Sequence, residues 1–165
     1  GTTSHLVTSV LLATAGASMI HVPYKGSSQA QTDIVGGRTY ATFDTMVSSL
    51  ALVKAGRLKA IAVSTPERVA TLPDVPTVAE QGFPGFDMGA WLGLIAPAGI
   101  PPDIQQKLAT EVNAVLADPA VRDKLADLGA QVRTTATPAE FGALMKSEYE
   151  SWGKVVRDFN VKASD

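Results

Sequence analysis

His21-Val-Pro-Tyr-Lys-Gly-Ser27, followed by Phe43-Asp44 and then Leu72-Pro-Asp-Val-Pro-Thr77, decides how this chain reads. Each piece is a strand end or loop where backbone donors, small residues and one or two polar side chains gather. In an α/β sheet such ends hold small anionic ligands. The pattern speaks for a binder before it speaks for an enzyme.

Working outward, helices and strands alternate on both sides of these loops. Ser4 to Gly16 carries Leu6, Val7, Val10, Leu11 and Ala15 at three- and four-residue spacing, which predicts a helix closed by a left-handed glycine. Residues 18–24 form a short strand with Ile20 and Val22, ended by Pro23, which cannot donate to a ladder. A helix from Gly26 to Val35 is closed by Gly36-Gly37, and 39–43 is the next strand. Asp44 or Thr45 caps a third helix that runs to Lys54 and stops at Gly56. Residues 58–64 are apolar enough for a strand buried on both faces. Strands alternating with helices imply parallel βαβ units with right-handed crossovers.

Proline then becomes frequent from Thr65 to Pro84, with one short helical piece near 78–81, and 89–97 is a further strand. Beyond Ile100 the chain turns helical. Ile104, Leu108, Val112 and Leu116 recur every four residues, and Asp118-Pro119 caps a shorter helix ending at Gly129. Thr137-Pro-Ala-Glu140 is a capping box with proline at the first helical position. Behind it Phe141, Leu144, Met145, Tyr149, Trp152, Val155, Val156 and Phe159 form a broad apolar stripe that requires a large surface to lie against. Two portions result: 1–88 with alternating α/β units, and 89–165 with one strand and three helices.

Composition narrows the function classes. The chain has 165 residues, 45% hydrophobic and 18% charged, so a core is affordable and disorder is not indicated. Its net charge is −2, with no run of basic residues, which argues against nucleic acid as partner. Cysteine is absent, and two histidines without clustered carboxylates give no metal-ligand spacing. No segment approaches the roughly 20 apolar residues of a membrane helix. Neither a Gly-x-x-x-x-Gly-Lys loop nor a dinucleotide fingerprint is present, so no cofactor is expected.

Three constellations remain as candidates. Thr3, Ser4 and His5 stand at a helix start, where free N–H groups and the positive end of the macrodipole favour a carboxylate or phosphate. Thr3 or Ser4 acting as a plain N-cap gives the same sequence. Tyr24, Gly26 and Ser27 sit where a strand feeds a helix; Gly26 permits close backbone approach and the serines add donors. Asp44 either accepts from a ligand or a water, or caps the next helix. A Ser4, His5, Asp44 hydrolase lacks a nucleophile elbow, and side chains of adjacent Ser4 and His5 point about 100° apart around a helix. Catalytic residues are therefore not assigned. His21, inside a strand, reads as structural.

At these residues the chain resembles the solute-binding receptors of tripartite tricarboxylate transporters, the Bug-type periplasmic receptors. The matching stretches are 1–5, 21–27, 36–37, 43–44, 55–64, 72–80 and 92–99, with Trp152-Gly153-Lys154 in the last helix. The resemblance implies an α/β, periplasmic-binding-protein-like fold of type II, a Venus flytrap that closes on a small carboxylate between two lobes without catalysis. It also implies periplasmic location and transporter subunits in the membrane as partners. Residues 1–88 would be the second lobe's parallel βαβ portion and 89–165 a strand and helices belonging to the first lobe. The N-terminal half of the family pattern would be missing, leaving surfaces that favour self-association. By motif position the resemblance gives Thr3, Ser4 and His5 the ligand carboxylate, and Gly26 and Ser27 further donors. It gives Asp44 an orienting role and places Trp91 at the cleft border. A rival reading is an effector-sensing module of a regulator, which shares the cleft chemistry.

Overall fold

The computed structural model describes residues 2–135, 137–159 and 161. Six α-helices follow in order: α1 (Thr3–Thr14), α2 (Ser27–Val35), α3 (Met46–Lys54), α4 (Pro102–Ala117), α5 (Pro119–Asp127) and α6 (Pro138–Asp158), with a 3-10 turn at Ala79–Gln81. The helices expected from periodicity are present, and their ends have a common cause. After α1, α2 and α3 a glycine at positive φ lets the chain fold back. The next amide then bonds to a carbonyl five residues earlier: Ala17 to Leu12, Arg38 to Asp33, Arg57 to Leu52. This is the Schellman closure, and it satisfies carbonyls that a helix end otherwise leaves open.

The strands expected at 18–24, 39–43, 58–64 and 89–97 are not paired into ladders among the described residues. There is one isolated parallel bridge, Val63 with Thr77. Most large apolar residues of these runs face outward instead, Val63 excepted: Ile20 is 93% and Leu92 95% exposed, with Tyr40, Ile61, Leu94 and Ile95 also exposed. The physical reason is that apolar, β-branched composition is local, whereas a ladder needs a second backbone in register. The apolar faces of α4 and α6 are likewise open; neither helix has a buried residue, and Ile104, Leu108 and Tyr149 are exposed.

The chain divides into two compact units, residues 1–90 with residues from 155 onward, and residues 91–154. This division differs from a cut at 88/89 in assigning the stretch from Val155 to the first unit. The first unit holds the buried core: Val7 and Val10 of α1, Leu50 of α3, then Val63, Val69, Val78 and Phe86. Phe43 stacks on Phe86 with ring centroids 6.5 Å apart. In the second unit Trp91 meets Phe141 edge-on at 5.3 Å. A Cβ at Gly93 would run into the Phe141 ring, so this backbone approach requires glycine. None of the helices is long and apolar enough to cross a membrane, among the described residues.

A clasp holds the proline-rich connection. Thr77 N donates to Glu80 Oε2 at 2.7 Å and Glu80 N to Thr77 Oγ1 at 3.0 Å, a reciprocal capping box. Arg68 Nε reaches both oxygens of Glu80 and its NH1 donates to the Pro73 carbonyl. The Arg68 guanidinium, followed by the Thr77 amide, holds the Glu80 carboxyl below its ordinary pKa.

Candidate functional site

The candidate residues of the first unit lie on the first turns of α1 and α2 and on the loop before α3. In α1 the N-cap position is Thr2, and its side chain makes no capping bond. Thr3 and Ser4 are already inside the helix, so neither hydroxyl caps it. Their amides have no backbone partner among the described residues, while His5 N and Leu6 N bond to the Thr2 carbonyl. In α2 the N-cap is Gly26, which has no side chain to offer, and the amides of Ser27 and Ser28 are equally open. Both helix starts thus present hydroxyls and N–H groups at the positive end of a macrodipole.

A histidine pair lies at the start of α1. The His5 ring stacks on His21 with centroids 4.1 Å apart and planes 10° from parallel. His21 precedes Gly26 by five residues, or at most about 18 Å of extended chain. Burial, then the neighbouring His21, pushes the His5 pKa below 6.5. The neutral ring is the form that fits this stack.

Asp44 is the most heavily hydrogen-bonded group in this region. Its Oδ1 accepts from Ser27 Oγ, Thr45 N and Ser48 Oγ, each at 2.8 Å, and its Oδ2 accepts from Gln31 Nε2 at 2.8 Å. Gln31, only 7% exposed, gives its second N–H to the Ser48 carbonyl at 3.0 Å. Ser27 and Gln31 stand four apart on α2, and Asp44 and Ser48 four apart at the start of α3. Ser27 and Gln31 share a face of α2, and Asp44, in the loop before α3, meets that face. Gln31 and Ser48 were not among the sequence candidates, although the spacing of four between Ser27 and Gln31 on α2 was available to find the former.

Tyr24 has a different engagement. Its hydroxyl donates to Asp33 Oδ2 at 2.8 Å, and Arg38 NH1 meets Asp33 Oδ1 at 2.7 Å. The triad ties residue 24 to the last turns of α2. The Arg38 bond, then the Tyr24 bond, lowers the Asp33 pKa, and the same Asp33 contact raises that of Tyr24. Trp91 belongs to the second unit, where it packs on Phe141. The structure therefore joins Ser27 with Asp44 directly and seats Thr3, Ser4 and His5 on one helical turn. The donors on Asp44 are Ser27, Gln31, Thr45 and Ser48, so Asp44 forms no relay with Ser4. No group of three His, Cys, Asp or Glu suited to a metal occurs among the described residues.

Comparison with known proteins gives a consistent answer. The family model described as "Tripartite tricarboxylate transporter family receptor" matches residues 1–161. A UPF0065 protein from the tcbD-tcbE intergenic region of Pseudomonas sp. (strain P51) is 38% identical over 165 residues, covering 99% of this chain and 49% of its own. Among solved structures, R. palustris Rpa4515 with adipate superposes with a TM-score of 0.93 at 33% identity, covering 97% of this chain and 53% of that one. MatC (Rpa3494) from Rhodopseudomonas palustris with bound malate superposes at 0.85 and 34% identity, covering 93% and 53%. The chain thus spans about half the length of these relatives. Their agreement with its backbone fixes the architecture as that of a periplasmic binding protein of this type, with the expected strands left unpaired in the length present.

Proposed function

We propose a carboxylate-binding role for this chain, which belongs to the tripartite tricarboxylate transporter receptor family. It holds the carboxylate group of a small organic acid at the open first turns of α1 and α2, and serves delivery of that acid to a membrane transporter from the periplasm. No chemical change of the ligand is part of this role. The observation that carries the reading is the pair of helix starts without side-chain caps, both lined by hydroxyl-bearing residues. A carboxylate supplies what those starts lack: negative charge at the dipole's positive end and oxygens for the free amides. Relatives solved with adipate and malate support the ligand class. Thr3, Ser4, Gly26 and Ser27 contact the carboxylate in this proposal, and His5 shapes the turn from its stack on His21.

The chain carries about half of a relative's length, so its own affinity is expected in the millimolar range, about −4 kcal/mol. Titration of the 15N-labelled chain with malate, adipate and citrate, each beside its methyl ester, tests the proposal. Saturable shifts at the amides of Thr3, Ser4, Ser27 and Ser28, absent with the esters, are the expected result. Shifts elsewhere only, or equal shifts with the neutral esters, would overturn it.

A further inference from the structure

The hydrogen-bond pattern around Asp44 fixes the polarity of Ser27. An ionised carboxylate only accepts, so in the 2.8 Å contact between Ser27 Oγ and Asp44 Oδ1 the hydroxyl hydrogen lies on the serine and points at the aspartate. Asp44 is already engaged on both oxygens, Oδ1 by Ser27 Oγ, Thr45 N and Ser48 Oγ and Oδ2 by Gln31 Nε2, and the Ser27 hydrogen is committed to it. Nor does Gln31 compete, since both hydrogens of its Nε2 are taken, by Asp44 and by the Ser48 carbonyl. Half-buried Ser27 is left with its oxygen lone pairs. It therefore meets anything bound at the start of α2 as an acceptor and not as a donor.

We infer that Ser27 is a specificity-determining residue that selects acids carrying a hydrogen-bond donor beside the carboxylate, and that Asp44 is the positioning residue that sets its polarity. The inference rests on the carboxylate reading above. The open amides of Ser27 and Ser28 take the carboxylate oxygens, and the substituent on the adjoining carbon comes to lie by Ser27 Oγ. A hydroxyl or an ammonium there donates to Oγ. A bare methylene leaves the oxygen without a partner, and an additional acceptor is repelled. Asp44, previously a candidate for direct ligand contact, acts through Ser27.

Three acids with one four-carbon skeleton test this: malate with a hydroxyl, aspartate with an ammonium, and succinate with neither. Affinities are read from amide shifts of the intact chain, with thermal melting as the check that each variant folds. Malate or aspartate should bind about five- to tenfold tighter than succinate, the size of one hydrogen bond. Which of the two gains shows whether hydroxyl or ammonium is the natural donor. Ser27→Ala should reduce that ratio to about one while leaving succinate unchanged. Asp44→Ala frees the Ser27 hydrogen and should also abolish the ratio. Asp44→Asn keeps an oxygen towards Ser27, at the loss of the Gln31 bond, and should restore most of it. A purely structural Asp44 would weaken all three acids alike and would not move the ratio. Equal binding of the three acids by the unaltered chain, or an unchanged ratio in Ser27→Ala, would overturn the inference while the carboxylate reading stands. Absence of binding by every acid and by citrate would overturn both.

Discussion

The proline-rich connection at 65–86 and the first turns of α1 and α2 belong to one unit and treat their backbone donors in opposite ways. In the connection they are closed off. Thr77 and Glu80 cap each other, Arg68 locks Glu80, Val78 N bonds to the Val63 carbonyl, and Gln81 Nε2 bonds to the Ile61 carbonyl. Thr77 is 1% exposed. At α1 the N-cap Thr2 makes no side-chain capping bond, at α2 the N-cap is Gly26 and the hydroxyls come after it, and the amides of both first turns stay open. The helix α5 is closed in the same way as the connection, since Asp118 Oδ1 accepts from Ala120 N at 2.8 Å. The contrast teaches that a helix start rich in serine and threonine is not thereby capped.

The strongest way to break the contrast is to open the closed region. Thr77→Val keeps the shape and removes the oxygen that satisfies Glu80 N. A loss of about 2 kcal/mol is expected from a buried donor left unpaired, measured by urea denaturation. Carboxylate shifts at α1 and α2 should persist in the folded variant. The converse change closes an open region. Gly26 has φ near 180°, an extended conformation open to any residue, and free space around its Cβ position. Gly26→Asp should cap α2, raise stability by a few tenths of a kcal/mol and abolish carboxylate shifts at Ser27 and Ser28.

Acid sharpens the comparison with the smallest effect. The His5 pKa is lowered, so the stability linked to its neutral form is complete above pH 6.5 and is lost as pH falls through the lower folded value. The Glu80 carboxyl is also held low, by Arg68 and then Thr77. Its contribution is complete above 4.5 and disappears only as pH falls through that depressed value. A melting-temperature profile against pH should therefore fall in two stages, the open region first. His5→Gln should remove the upper stage. Glu80→Gln should reduce the lower one, leaving the share of Asp33, whose carboxyl Arg38 and Tyr24 hold down.

Local signals made the helices legible. Glycine after the last turn, proline at the first and the Asp118-Pro119 pair each act within a few residues of the end they specify. Strand pairing was not legible, because Ile20, Tyr40 and Leu92 specify apolar character and say nothing of which backbone lies alongside. The same holds for the stripe on α6, which remains open. In the site, Ser27 and Asp44 stood out as loop residues, yet their bond joins positions 17 apart and Gln31 lies 13 from Asp44. Such contacts follow from packing α2 on α3. The engagement of Tyr24 was not legible for a related reason: the partner that takes its hydroxyl, Asp33, is nine residues on, across a helix.

The four bonds at Asp44 also have an entropic meaning. They orient Ser27 and Gln31 before any ligand arrives, and they join the starts of α2 and α3 at one corner. Binding at that corner then immobilises little that was previously free, so most of the contact energy survives as affinity. Under the proposed role of Ser27, stiffness of this kind would sharpen the direction of its lone pairs.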